Sequence, residues 1–252
     1  MTQPDWMADA FAHRGLHGPG IPENTLAAFE AAIAGGYGIE LDVGLCAGDE
    51  AVVFHDSTLR RLAGRDTALA ALTADQLADV RLLGGDQTIQ RLSTVLDAIA
   101  DRAPVLVEIK SPEAFGHRLE AAVGRVLSGY EGRAAVMSWN VRSMVWMRRY
   151  FPAIPRGLVV TSFRGGLSFS SNPLLLMATL LPSARRTGAS FLAHDIRHLP
   201  SRLSRRFRRE GKPVLTWTVR TQEQLARALA HADAPIFEGD IQRLIPPPAA
   251  PL

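Results

Sequence analysis

Gly38-Ile39-Glu40-Leu41-Asp42-Val43 is the stretch on which the reading of this chain turns. Three apolar residues alternate with two carboxylates, so Glu40 and Asp42 stand on one face of a strand. Further along, Val105–Ile109 is another short apolar run, and Glu108 and Lys110 repeat the same two-residue spacing. His13-Arg14 follows the run Ala10–Ala12, and His55-Asp56 follows Ala51–Phe54. Charged and titratable residues therefore gather near the C-terminal ends of short apolar runs. A purely structural role would bury several charges without purpose, which is costly.

The same alternation extends along the chain. Candidate strands are Ala10–Ala12, Gly38–Val43, Ala51–Phe54, Val105–Ile109, Ala134–Ser138, Gly157–Val160, Ser190–Ala193, Val214–Val219 and Pro235–Phe237. Helical patterns lie between them. Leu26, Phe29 and Ile33 share a face, with Asn24 read as the N-cap and Gly35-Gly36 as the stop. Leu119, Val123, Val126 and Leu127 form another apolar stripe. Thr73 to Gln76 and Thr221 to Gln224 both read as capping boxes, and Gly211 ends an arginine-rich helix. About eight strand–helix units in 252 residues suggest an α/β fold: a single-domain (β/α)₈ TIM barrel, with a core over about 10–245 and a tail at 246–252. Nine strand candidates are one too many for that barrel, so one is accessory or false. The link from Val43 to Ala51 is too short for a helical crossover and reads as a hairpin around Gly48-Asp49. Such a return would bring His55 near Glu40 and Asp42.

Composition narrows the class. Cys46 is the sole cysteine, which excludes an intramolecular disulfide and argues against a thiolate metal site. No apolar run reaches the length of a transmembrane helix, and Met1 to Trp6 has neither the basic nor the apolar region of a secretory signal. The expectation is a cytoplasmic protein. The net charge is +3, carried almost wholly by arginine. Arg185-Arg186 and the arginines from Arg202 to Arg209 read as solvated helix faces, with no nucleic-acid motif beside them.

Three carboxylates on two strand tips suit a hard divalent cation, Mg²⁺ or Ca²⁺. Glu40, Asp42 and Glu108 are the candidate ligands. His13 and His55 are the candidate acid and base near neutral pH. Arg14 and Lys110 can hold phosphate oxygens, the first bidentately and the second as a point charge. Trp217 reads equally as an apolar wall for a substrate or as a core aromatic, and so does Trp139. His194-Asp195 ends a strand candidate and could line the same mouth.

Taken jointly, His13-Arg14-Gly15, Pro22-Glu23-Asn24-Thr25 with Ala28-Phe29, Glu40-Leu41-Asp42-Val43, Val52-Val53-Phe54-His55-Asp56, Glu108-Ile109-Lys110 and Trp217-Thr218-Val219 resemble the glycerophosphodiester phosphodiesterase family, in order and over nearly the whole chain. The resemblance implies a phospholipase-C-like TIM barrel that hydrolyses a glycerophosphodiester to sn-glycerol 3-phosphate and an alcohol. It implies His13 and His55 as the acid/base pair, Glu40, Asp42 and Glu108 on the metal, and Arg14 and Lys110 on the phosphate. The chain departs from the family pattern at Cys46-Ala47-Gly48-Asp49, at Arg60 to Gly64, and where Phe237-Glu238-Gly239-Asp240 replaces a terminal Thr-Asp. Two other readings stand beside this one. A lysophospholipase D would need an apolar mouth for weak membrane-surface contact, which Leu174–Leu181 could supply. A non-catalytic phosphodiester-binding barrel would be expected to lack one of these groups. The expected partner is a small-molecule diester, not a nucleic acid, and oligomerisation is left open.

Overall fold

The computed structural model describes residues 5–111, 116–161 and 184–245. Its strands are β1 Phe11–His13, β2 Gly38–Leu45, β3 Ala51–Val53, β4 Val105–Ile109, β5 Ala134–Ser138, β6 Arg156–Val160, β7 Phe191–Asp195, β8 Val214–Val219 and β9 Ala234–Phe237. All except β3 run parallel, and β1 pairs with both β2 and β9, so they close into an eight-stranded barrel. β3 is the ninth strand of the sequence pattern. It returns antiparallel on β2, with Val43 opposite Val53 and Leu45 opposite Ala51. Gly48 and Asp49 turn this hairpin with φ of +84° and +59°.

Strand parity builds two cores. Ile39, Leu41, Val43, Val105, Val107 and Leu192 point outward to the helices, while Phe11, Leu106, Met137, Phe191, Leu215 and Ile236 fill the barrel. Two glycines leave room for the interior rings. A Cβ on Gly38 would come within 2.5 Å of Phe11, and one on Gly157 within 2.3 Å of Phe191. The N-terminal turn Asp5–Ala8 closes this end, with Met7 buried and Trp6 edge-on to Phe11 at 6.4 Å. The opposite end, where parallel barrels carry their sites, is left to polar residues.

Three local expectations are corrected. Asn24 does not cap the first helix. Thr25 does, accepting from the Ala28 amide at 3.3 Å ahead of Leu26–Ala34, while the Asn24 side chain is drawn into the barrel mouth. Thr73 and Gln76 form the full capping box, but Thr221 and Gln224 form only half of one. The Gln224 side chain accepts from the Arg220 amide at 2.7 Å instead of returning to its N-cap. The strand after Ser190 also runs further than expected, to Asp195. Leu174–Leu181 and the tail at 246–252 lie outside the described residues. No described helix is long and apolar enough to cross a membrane.

Candidate active site

The turn after β1 sets the first wall. Arg14 has φ +59° and Gly15 φ +77°. A Cβ on Gly15 would fall 2.8 Å from the backbone of Ala28, so only glycine fits there. This tight turn aims the Arg14 amide at Glu40 Oε2, 3.0 Å away. The Arg14 side chain reaches Asp42 Oδ2 at 2.9 Å and Glu23 Oε1 at 2.8 Å. Arg61 holds Glu23 from the other side at 2.7 Å.

Glu40, Asp42 and Glu108 meet at the mouth because β2 and β4 pair in register, Asp42 opposite Glu108. An oxygen from each lies within 4.8 Å of the others, and all three residues are buried. Lys110 Nζ sits 2.7 Å from Glu108 Oε1 and 3.0 Å from Asp42 Oδ1. Asn24 binds Asp42 twice, donating Nδ2 to Oδ2 and accepting the Asp42 amide, both at 3.1 Å. Glu40 Oε1 and Asp42 Oδ1 remain buried without a hydrogen-bond donor, since Lys110 approaches Asp42 outside hydrogen-bonding angles. Two cations face three carboxylates, which leaves a negative site open to a cation.

The titration directions agree. Burial, with Asp42 and Glu108 close by, pushes the Glu40 carboxyl well above its ordinary value. Burial also opposes ionisation of Asp42, but Lys110 and Arg14 outweigh it and bring the group down to about 2. Glu108 is raised, chiefly by burial. Such a cluster is costly unless an added positive charge shares it.

Both candidate histidines are backed by a carboxylate. His13 Nδ1 lies 2.7 Å from Glu238 Oε2, and His55 Nδ1 lies 2.6 Å from Asp56 Oδ1. An ionised carboxylate only accepts, so Nδ1 carries the proton in each ring and Nε2 is left for chemistry. The hairpin delivers His55 as expected, with the Phe54 amide donating to Asp42 O at 3.0 Å. His13, Arg14, Glu40, His55, Glu108 and Lys110 line one cavity of about 430 Å³.

Trp217 lines the same cavity, its Nε1 donating to Ala193 O at 3.1 Å, and Trp139 meets it edge-on. Trp139 is thus at the mouth and not in the core. Of His194-Asp195, only Asp195 reaches the cavity, because strand parity turns His194 outward into a buried position. Cys46 is buried in the small core beneath the hairpin. The sequence reading did not assign Glu238, Asn24 or Glu23 a place in the site. A polar residue just after an apolar run is the signal that marks His13 and His55, and Glu238, after Pro235–Phe237, satisfies it.

A parallel eight-stranded barrel with carboxylates, histidines and basic groups at its C-terminal mouth defines the class as a TIM-barrel protein with a charged site at that mouth. Residues 13–237 match the model of the Glycerophosphoryl diester phosphodiesterase family. The chain belongs to that family. It is 28% identical to "Putative glycerophosphodiester phosphodiesterase YhdW" of Bacillus subtilis, covering 87% of this chain and 89% of that one. It is 32% identical to "Probable glycerophosphodiester phosphodiesterase 2" of Mycobacterium tuberculosis, over 83% and 79% of the two chains. The fold is shared with an Oleispira antarctica phosphodiesterase solved with its product sn-glycerol 3-phosphate, at TM-score 0.80, 22% identity and 94% coverage of both chains.

Proposed function

We propose that this chain hydrolyses glycerophosphodiesters to sn-glycerol 3-phosphate and an alcohol. The observation that carries the reading is the three-carboxylate cluster facing two carboxylate-backed histidines in one cavity, in a chain of this family. The product bound by the Oleispira antarctica phosphodiesterase is consistent with it.

Glu40, Asp42 and Glu108 fit a divalent cation, because two of their buried oxygens have no donor and all are hard ligands. Mg²⁺ or Ca²⁺ is the proposed ion. Once bound, it offsets phosphate charge and makes a neighbouring water or hydroxyl more acidic. Arg14 and Lys110 hold the phosphate oxygens. Arg14 is pre-aimed by Glu23 and Asp42, so little side-chain freedom is lost on binding. Trp217 offers an apolar wall to the substrate. One histidine takes the nucleophile's proton at Nε2, and the other gives a proton from Nε2 to the leaving alkoxide. Glu238 and Asp56 keep Nδ1 protonated in both rings, so that Nε2 is the nitrogen that takes or gives the proton. The nucleophile is water or a hydroxyl of the substrate, the second route passing through a cyclic phosphate.

His13→Ala and His55→Ala should each lower kcat by about 10²–10⁴-fold while leaving thermal unfolding nearly unchanged. Near-normal turnover in either variant would contradict the assignment. Phosphorus NMR of the reaction, with or without a transient cyclic phosphate, separates the two nucleophiles.

A further inference from the structure

Past the phosphate-holding groups, the cavity continues toward the tips of β5, β7 and β8, where Trp139 and Arg197 take no part in the proton transfers above. Trp139 follows β5 and is 43% exposed. Its ring stands at 77° to Trp217, with centroids 5.1 Å apart, so one indole presents a face and the other an edge. Asp195, at the tip of β7, is fully engaged. Arg197 Nη2 lies 2.6 Å from Oδ2, Arg197 Nε 3.0 Å from Oδ1, and Thr161 Oγ1 donates to Oδ2 at 2.8 Å. Arg220 Nε donates to Glu238. Both guanidinium groups line the cavity, with side chains 69% and 54% exposed.

This chemistry discriminates between head groups. A quaternary ammonium is held by aromatic faces enclosing it or by an unspent carboxylate. Among the described residues, two rings form an open corner here, the nearby carboxylates Asp195 and Glu238 are held by arginine, and two guanidinium groups border the space. A polyhydroxy alcohol meets the opposite conditions. Its C–H edges fit the negative face of an indole, and its hydroxyls accept from guanidinium N–H groups that Asp195 and Glu238 leave over.

We propose that this corner is the leaving-group subsite and that it takes an uncharged polyhydroxy alcohol in preference to a cationic amino alcohol. Trp139 and Arg197 are the specificity-determining residues. The proposal rests on the hydrolytic reading above, and it concerns only the alcohol side of the phosphate.

The test is kcat/KM for three sn-glycerol 3-phosphate diesters, of inositol, choline and methanol, with wild type, Trp139→Ala and Arg197→Ala. The methyl ester has no head group to reach the corner. Wild type should favour the inositol diester over the choline diester by about tenfold or more. Trp139→Ala should lower the inositol value by about tenfold and leave the methyl ester unchanged. Arg197→Ala bares Asp195 and should raise the choline value relative to inositol. Choline equal to or better than inositol in wild type would overturn the proposal, as would an equal loss on all three esters in Trp139→Ala. If wild type cleaved not even the methyl ester, the hydrolytic reading would fail first. Calorimetric binding of the inositol and choline diesters to the wild-type protein then decides the subsite, with tighter inositol binding supporting it and equal or tighter choline binding overturning it.

Discussion

His13 and His55 share a construction that neither shows in isolation: each ring is anchored at Nδ1 by a carboxylate, leaving Nε2 to the cavity. The partner of His13 is Glu238, whose carboxyl is held well below its usual range because His13, His17 and Arg220 outweigh the opposing effect of burial. Its role is orientation, so Glu238→Ala should reduce kcat by about 10–100-fold with a smaller change in KM. An unchanged kcat would show the contact to be idle. Much of this was legible in the sequence. His13, Arg14, Glu40, Asp42, His55, Glu108 and Lys110 are each marked by lying within or just after a short apolar run, and all seven converge on the mouth. Asn24 was misread because asparagine ahead of an amphipathic stretch satisfies the local rule for an N-cap. The tertiary bond to Asp42 prevailed, and Thr25 took over the cap. Glu238 follows an apolar run and departs from a Thr-Asp pattern, but nothing in a single sequence says which histidine lies opposite.

At the scale of elements, the site depends on two short connections. The β2–β3 hairpin turns His55 back over Asp42, and the β1 turn aims Arg14. Glu23 links both, since it binds Arg14 and Arg61, and Arg61 also binds Asp56 at 2.7 Å. Burial works against ionisation of Glu23, but the Arg61 and Arg14 contacts prevail and its pKa falls below the ordinary glutamate value of 4.5. Its contribution to stability is therefore complete above pH 4.5 and lost as pH falls through the lower folded value. Glu23→Gln should lose stability near neutral pH and show a shallower loss in acid than wild type. A parallel pair of stability–pH curves would contradict this. The strand pattern was readable because apolar runs and turn residues alternate so regularly, and β4, β5 and β8 fall where the sequence puts them. Strand ends such as Asp195 were not, because a polar residue at a tip looks like a loop until its pairing is known. The two interior glycines carry a second prediction. Gly157→Val would drive a side chain into Phe191, at a cost of about 1–3 kcal/mol, measurable as a lower urea midpoint. A midpoint equal to that of wild type would show that the barrel interior repacks freely.

For the whole molecule, parity is the organising fact. The residues that face outward hold helices against the barrel, and those that face inward form an apolar plug below and a charged mouth above. Concentrating three carboxylates at that mouth costs stability that a bound cation should restore. At about 100 times its dissociation constant, a cation that binds only the folded state adds about 2.7 kcal/mol. Mg²⁺ or Ca²⁺ should therefore raise Tm, and Glu40→Gln with Glu108→Gln should abolish the increase. An equal rise in that double variant would place the cation elsewhere. This cavity is expected to cleave glycerophosphodiesters with a divalent ion in place. The most direct measurement is the release of sn-glycerol 3-phosphate from a glycerophosphodiester by the purified protein, after chelation and after adding back Mg²⁺ or Ca²⁺. Chelation should abolish the release, and one of the two ions should restore it. Release unaffected by thorough chelation, or none from any diester with either ion, would contradict this expectation.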